Sequence, residues 1–212
     1  MTTISWEVVL VGRDALVPAW RTAFSSTPVS VVDGDALIQA AGAALVSPAN
    51  SFGAMSGGFD GAIRKTYRPF PIEDRVREAI DTQAAGELPV GCALVVPTPE
   101  TRYTHLVVAP TMRTPRDMRG TLAAYLAFRA VLLTVRRWNA NGADVPIQRL
   151  VCPGLATGIG QMDAETAARQ MRAAWDAAAD GLPRRRLLVQ HARIENALRN
   201  APRRRSPDRD AE

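Results

Sequence analysis

Ala44 to Ile63 reads ALVSPANSFGAMSGGFDGAI, and the order of residue types in this stretch decides how the chain is built. An apolar run ends at Ser47-Pro48, followed by Asn50, a glycine-bearing loop, and a single acid, Asp60. The apolar run predicts a buried strand. Gly57 and Gly58 remove side chains where a backbone must come close to something else, and the residues after them predict a helix from GAIRKTY, Gly61 to Tyr67. The free N–H groups at the start of that helix favour a negatively charged ligand group, and a diphosphate suits them.

Working outward, strand-like and helix-like segments alternate. WEVVLV, VSVVD and GAALVSPA predict strands, as do GCALVVPT, THLVVAPT and QRLVCPGL further on. ALVPAWRTAF, the span Ile72 to Ala84, TLAAYLAFRAVLLTVRRW (Thr121 to Trp138) and DAETAARQMRAAWDAAA predict helices, the last opened by Asp163 as N-cap. RLLVQ, Arg186 to Gln190, predicts a final edge strand. Alternation of this kind implies an α/β fold, a parallel or mixed sheet covered by helices on both faces. Asn50, Thr111 and Gly154 each follow a strand-like run, so one crevice beyond the strands' carboxyl ends can gather them.

A second loop, LATGIGQMD, repeats the theme of glycines beside small or apolar residues ahead of a helix. SPANS, GGFDGAI and LATGIGQMD together resemble the macrodomain family, whose members commonly carry an Asn-Ala-Ala-Asn strand end, a Gly-Gly-Gly-Val-Asp-like loop and a later Thr-Gly-Ile-Tyr-Gly-like loop around ADP-ribose. The resemblance spans Trp6 to Ala179 and implies a three-layer α/β/α sandwich with a mixed central sheet. Asp60 lies ten positions after Asn50, as in the family's mono-ADP-ribosyl hydrolase branch.

The resemblance implies a set of site residues. Asp35, with Ala36 after it, matches the acid that recognises adenine; Asp33 competes for that role. Asn50 is suited to a ribose hydroxyl, and Asp60 to positioning or activating a water at the anomeric carbon of the distal ribose. These two are the candidate catalytic residues. Gly57, Gly58 and Phe59 would line the first phosphate loop, and Thr157, Gly158, Ile159, Gly160 and Gln161 the second. Each has a plainer alternative: Asp35 and Asn50 are common turn formers, and Asp60 is well placed as a first-turn acid stabilised by the helix dipole.

Two departures from the family pattern stand out. Gly160 occupies the place where many hydrolases set an aromatic residue against the distal ribose, and Gln161 replaces the next glycine; Phe59 or Phe52 could supply the missing surface. Another branch uses a lysine after the first loop and an aspartate in the second. Here those places hold Arg64 and Gly160, with Lys65 one position late, which disfavours that mechanism.

The expected activity is hydrolysis of mono-ADP-ribosyl groups from modified acceptors, with an ester to protein Asp or Glu as the leading linkage. A non-catalytic ADP-ribose reader is the main alternative. A deacetylase of O-acetyl-ADP-ribose or a phosphatase of ADP-ribose phosphate is the next. ADP-ribose and an ADP-ribosylated protein are the expected partners, with modified nucleic acid a secondary option, and no cofactor or metal is expected.

Composition is consistent with these readings. The chain has 212 residues, 47% of them apolar, and a formal charge of +5. That length fits one domain, expected over residues 1–200, with a disordered tail over 201–212. Much of the positive charge sits in PRRR at Pro183 to Arg186 and in the C-terminal PRRRSPDRD, which lacks aromatic residues for stacking bases. Neither a secretory leader nor a membrane span is expected near the N-terminus, and the expected setting is a cytoplasmic monomer. Cys92 and Cys152 lie in apolar runs and read as buried thiols, while His105 and His191 have no metal-ligand spacing to them. The sequence has neither a Walker phosphate loop nor a Gly-x-Gly-x-x-Gly fingerprint, which leaves ATPase and dinucleotide oxidoreductase readings without support.

Overall fold

The computed structural model describes residues 4–98, 102–179 and 188–199. Within them, one six-stranded sheet runs in the order β2-β1-β6-β3-β5-β4. Its strands are β1 (Glu7–Gly12), β2 (Ser30–Asp33), β3 (Ala44–Ser47), β4 (Leu94–Pro97), β5 (His105–Val108) and β6 (Arg149–Cys152). Every pairing is parallel except that of β4 with β5, so the sheet is mixed.

Successive residues of the central strands feed opposite faces, as the period of two demands. Val8, Leu10, Val46, Val107 and Leu150 join one apolar cluster with Trp20 of α1 (Leu16–Ala23), Phe128 of α5 (Ala123–Ala140) and Met171 of α6 (Ala164–Ala179). Val9, Val11, Leu45, Leu106 and Val151 join a second with Ala36 of α2 (Ala36–Gln39), Ile63 of α3 (Gly58–Thr66) and Ile72, Val76 and Ile80 of α4 (Ile72–Ala84). Two apolar layers thus separate three structural layers, the expected α/β/α sandwich. Leu10, Leu45, Leu106 and Leu132 are fully buried, and full burial of such a side chain stabilises by roughly 1.5–3 kcal/mol.

The expected strands and helices form, with three differences. The helix after the glycines begins at Gly58 rather than Gly61, which brings Phe59 and Asp60 inside its first turn. The short α2 was not expected; it starts where the Asp35 carboxylate accepts the Leu37 N–H at 2.9 Å and so caps an orphan donor. The edge strand expected at RLLVQ is not formed by its described part: Leu188, Val189 and Gln190 open α7 (Leu188–Arg199). Past that short apolar run the chain is rich in good helix formers. The helix is held against α6 by Arg169 and Gln170, which donate to the Ala197 and Leu198 carbonyls.

Cys152 is buried as expected, but Cys92 is exposed. Its residue precedes β4 in a turn where its N–H bonds the Pro89 carbonyl, so the apolar run GCALVV is not all strand. Asp163 does cap α6, accepting the Thr166 N–H at 2.8 Å. Among the described residues no helix is long and apolar enough to cross a membrane. The basic Pro183 to Arg186 segment and the tail from 201 onward lie outside the described residues.

Candidate functional site

The carboxyl ends of β1, β6, β3 and β5 open into one cavity of about 430 Å3, in the size range of small-ligand clefts. Gly12 and Arg13 follow β1, Pro48 and Asn50 follow β3, Thr111 and Met112 follow β5, and Pro153 and Gly154 follow β6. The three residues predicted to share a crevice, Asn50, Thr111 and Gly154, do share it. So do all the site residues named from sequence except Gln161: Asp35, Ala36, Gly57, Gly58, Phe59, Asp60, Thr157, Gly158, Ile159 and Gly160 join Asn50 in the lining. Asp33 lies outside it, which separates it from Asp35.

The first loop is built around Asn50. Its side-chain carbonyl accepts the N–H groups of Phe52 and Ala54 at 3.1 and 3.3 Å, and its amide donates to the Ala54 carbonyl at 2.8 Å. Asn50 therefore shapes the loop it belongs to, and its amide is already engaged there. The loop is pinned from the other side by Glu73 of α4, which accepts the Met55 N–H at 3.2 Å and pairs with Arg64 at 2.9 Å and Arg77 at 2.7 Å. Burial pushes the Glu73 carboxyl up, but the Met55 amide and the two guanidiniums outweigh it and hold the group below the usual carboxylate range. This anchor was not foreseen; the spacing of Glu73 and Arg77 at i,i+4 was its only trace in the sequence.

Gly58 adopts φ +58°, a backbone region that side chains rarely enter, and α3 starts there. The Gly58, Phe59 and Asp60 N–H groups have no partner earlier in the helix, because the first intrahelical bond runs from Gly61 to Gly57. Three backbone donors and the positive end of the helix dipole thus sit at the cavity wall.

Asp60 itself is buried, 9% exposed, and accepts a hydrogen bond of 2.6 Å from the Ser47 hydroxyl at the end of β3. Burial pushes its carboxyl from 3.8 up to about 6, against the opposing pull of the Ser47 bond. A buried carboxyl in a cleft, close to neutrality in its titration, is the kind of group that acid–base chemistry uses.

The second loop is a tight turn that explains the departure at position 160. Met162 N–H bonds the Ala156 carbonyl at 3.0 Å, Gln161 N–H bonds Gly158, and Met118 N–H bonds the Gly160 carbonyl at 2.8 Å. A Cβ at Gly160 would lie 2.4 Å from the Ala156 oxygen, so this turn admits no side chain there. Ile159, 51% exposed, reaches across to Gly58, whose imagined Cβ would stand 3.5 Å from its Cδ1. The two loops therefore meet over the cavity through an isoleucine and a glycine.

At the opposite end, Asp35 keeps its second oxygen 3.7 Å from Arg13. Of the aromatic residues considered, Phe59 lines the cavity, whereas Phe52 lies outside the lining and carries the Arg113 guanidinium 4.9 Å above its ring. Arg64 is bound to Glu73, and neither it nor exposed Lys65 reaches the cavity.

Comparison with known proteins agrees with this architecture. The family described as Macro domain matches residues 46–171. An uncharacterised protein of Aquifex aeolicus (strain VF5) is 31% identical over 128 residues, which cover 60% of this chain and 68% of that protein. Among solved structures, the macrodomain of Mycobacterium tuberculosis DarG superposes with a TM-score of 0.55 at 19% identity, covering 82% of this chain and 93% of that one. The macrodomain of Thermus aquaticus DarG gives 0.52 at 16% identity, over 83% and 93% of the two chains. A variant of the Oceanobacillus iheyensis macrodomain, solved with ADPR, gives 0.50 at 14% identity, over 79% and 75%. With the family pattern running from the third strand to the sixth helix and the same sandwich around its loops, this chain belongs to the macrodomain family.

Proposed function

We propose that the protein binds ADP-ribose in the cavity at the strand ends and hydrolyses mono-ADP-ribosyl groups from modified acceptors, an ester to protein Asp or Glu being the preferred linkage. The observation that carries the reading is the buried Asp60 carboxyl in the first turn of α3, beside the glycine loop and inside the cavity lining. Family membership supports the ligand, as does the related fold solved with ADPR.

The diphosphate lies against the N–H groups of α3 and the Thr157 to Gly160 turn, and the adenine end reaches Asp35. The distal ribose then lies near Asp60. At neutral pH, above its titration midpoint, Asp60 accepts a proton from a water whose oxygen attacks the anomeric carbon. The bond from that carbon to the acceptor oxygen breaks, and its electron pair leaves on the acceptor carboxylate. A carboxylate is a good leaving group, so placement and modest water activation suffice.

Isothermal titration of ADP-ribose into wild type and Asp35→Ala, followed by a release assay on glutamate-linked ADP-ribosylated protein, tests this. Binding weakened in Asp35→Ala, with release by wild type and none by Asp60→Ala, is the expected result. A lack of ADP-ribose binding would remove the reading altogether. Binding without release on any linkage would leave a non-catalytic reader, which two features favour: Gly160 offers no aromatic surface to the ribose, and the Asn50 amide is engaged within its own loop.

A further inference from the structure

We infer that Ser47 is the positioning residue of Asp60: its hydroxyl holds one carboxylate oxygen from behind the cavity wall and thereby sets the orientation and the proton affinity of the acid. The inference rests on the reading of Asp60 as the working acid and names the residue through which the fold controls it.

Ser47 is 1% exposed and does not line the cavity, so any influence it has on a ligand passes through Asp60. Its backbone is fixed by the sheet: it closes β3 opposite Val108 of β5, and its carbonyl accepts the Ala109 N–H at 3.0 Å. Pro48 follows at once and locks φ on the far side. The hydroxyl thus projects from a rigid strand end onto the first turn of α3, at 2.6 Å from Asp60 Oδ1. A hydroxyl so placed donates its proton to the carboxylate and favours the ionised form, against the burial that disfavours it.

Among the described residues no charged neighbour competes for the role: burial and the Ser47 hydroxyl set this carboxyl. β3 carries no charged side chain, and the loop from Pro153 to Met162 carries none. The other charged residues of the cavity lining are Arg13 and Asp35, which face each other. On α3 itself Arg64 is committed to Glu73 of α4, and Lys65 is exposed. On the loop after β5, exposed Arg113 is held by both oxygens of Glu87, exposed Arg119 pairs with Asp117, and exposed Arg116 stays outside the cavity lining with them. The serine is therefore the side chain that tunes this acid.

The decisive experiment is a carbon-13 NMR titration of aspartate carboxyl groups in the full ligand-free chain, with Asp60 assigned from its missing signal in Asp60→Asn. Ser47→Ala should raise the Asp60 midpoint by about one pH unit, the worth of one hydrogen bond to a charged group. Ser47→Thr, which keeps the hydroxyl, should titrate near wild type. In the release assay the acidic limb of kcat/KM, which reports the ligand-free enzyme as the NMR does, should move with the NMR midpoint while KM on the pH plateau stays the same, a pattern that loss of packing alone does not produce. An unchanged Asp60 midpoint in folded Ser47→Ala overturns the inference. Full release by Asp60→Asn would instead remove the catalytic reading of Asp60 and leave the NMR result standing.

Discussion

Replacing Asp60 with Asn should make the protein more stable, by an amount that grows with pH. In the folded chain the Asp60 carboxyl titrates at about 6, against 3.8 without the fold. Below 3.8 the group is protonated in both states and the fold incurs no charge penalty. Between 3.8 and about 6 the native state holds a proton that the unfolded chain has released, so stability falls as pH rises. Above about 6 the carboxylate is charged in both states and the full penalty applies. A tenfold change in acidity is worth about 1.4 kcal/mol, so the penalty at pH 7–8 is about 3 kcal/mol. Asparagine keeps an oxygen to accept the Ser47 hydroxyl and carries no charge. Urea unfolding of wild type and Asp60→Asn from pH 4 to pH 8 gives the difference directly, since every other titrating group cancels. The expected gap is near zero at the acidic end and opens toward about 3 kcal/mol above pH 7. A gap that stays flat, or widens toward acid, refutes the assignment of a raised carboxyl to this site. The catalytic role proposed for Asp60 further predicts that the same variant loses release activity.

Other consequences follow from the two loops and the thiols. Gly160→Ala forces a Cβ to within 2.4 Å of the Ala156 oxygen and should open the second turn, weakening ADP-ribose binding roughly tenfold or more by titration calorimetry, about 1.4 kcal/mol. Glu73→Ala should release the Met55 amide and strand the Arg64 guanidinium, costing about 1–3 kcal/mol in urea unfolding and weakening ligand binding through the loosened loop. Native protein should react at Cys92 with an aromatic disulfide reagent within minutes. Cys152, whose thiol burial pushes up, should react only after unfolding.

The parts of the fold legible in sequence were those written by periodicity. Strands such as Glu7–Gly12 show as a short continuous apolar run, because both of their faces pack against a layer, and helices such as Ile72–Ala84 carry a 3.6-residue pattern, because one face does. Local chemistry that overrides the pattern was harder to read. At α7, Leu188 and Val189 looked like a strand only while taken without the helix-forming residues after them. At Cys92, the turn through Pro89 turned an apolar residue outward. The site followed the same division. The glycines, Asp35 and Asp60 were visible as residue types at loop and helix starts, whereas the Ser47 bond and the Glu73 anchor join segments 13 and 18 positions apart and exist only once the sheet is assembled.

That division bears on how the acid came to have its properties. In the first turn of α3, burial pushes the Asp60 carboxyl up to about 6, against the Ser47 hydroxyl, which favours its charged form. Gly57 caps α3 and Gly58 turns the chain into it, and one turn on Ile63 packs into the second apolar cluster, which ties the helix to the sheet. Shortening Ile63 to Ala should therefore do more than cost about 2–5 kcal/mol of stability. By letting α3 lift from the sheet it should admit water to Asp60, bring its midpoint down toward 3.8, and lengthen the Ser47 bond. The Asp60 titration in Ile63→Ala reads this directly. A midpoint that stays near 6 in that variant would mean that the loops, and not the helix packing, keep water from the carboxyl.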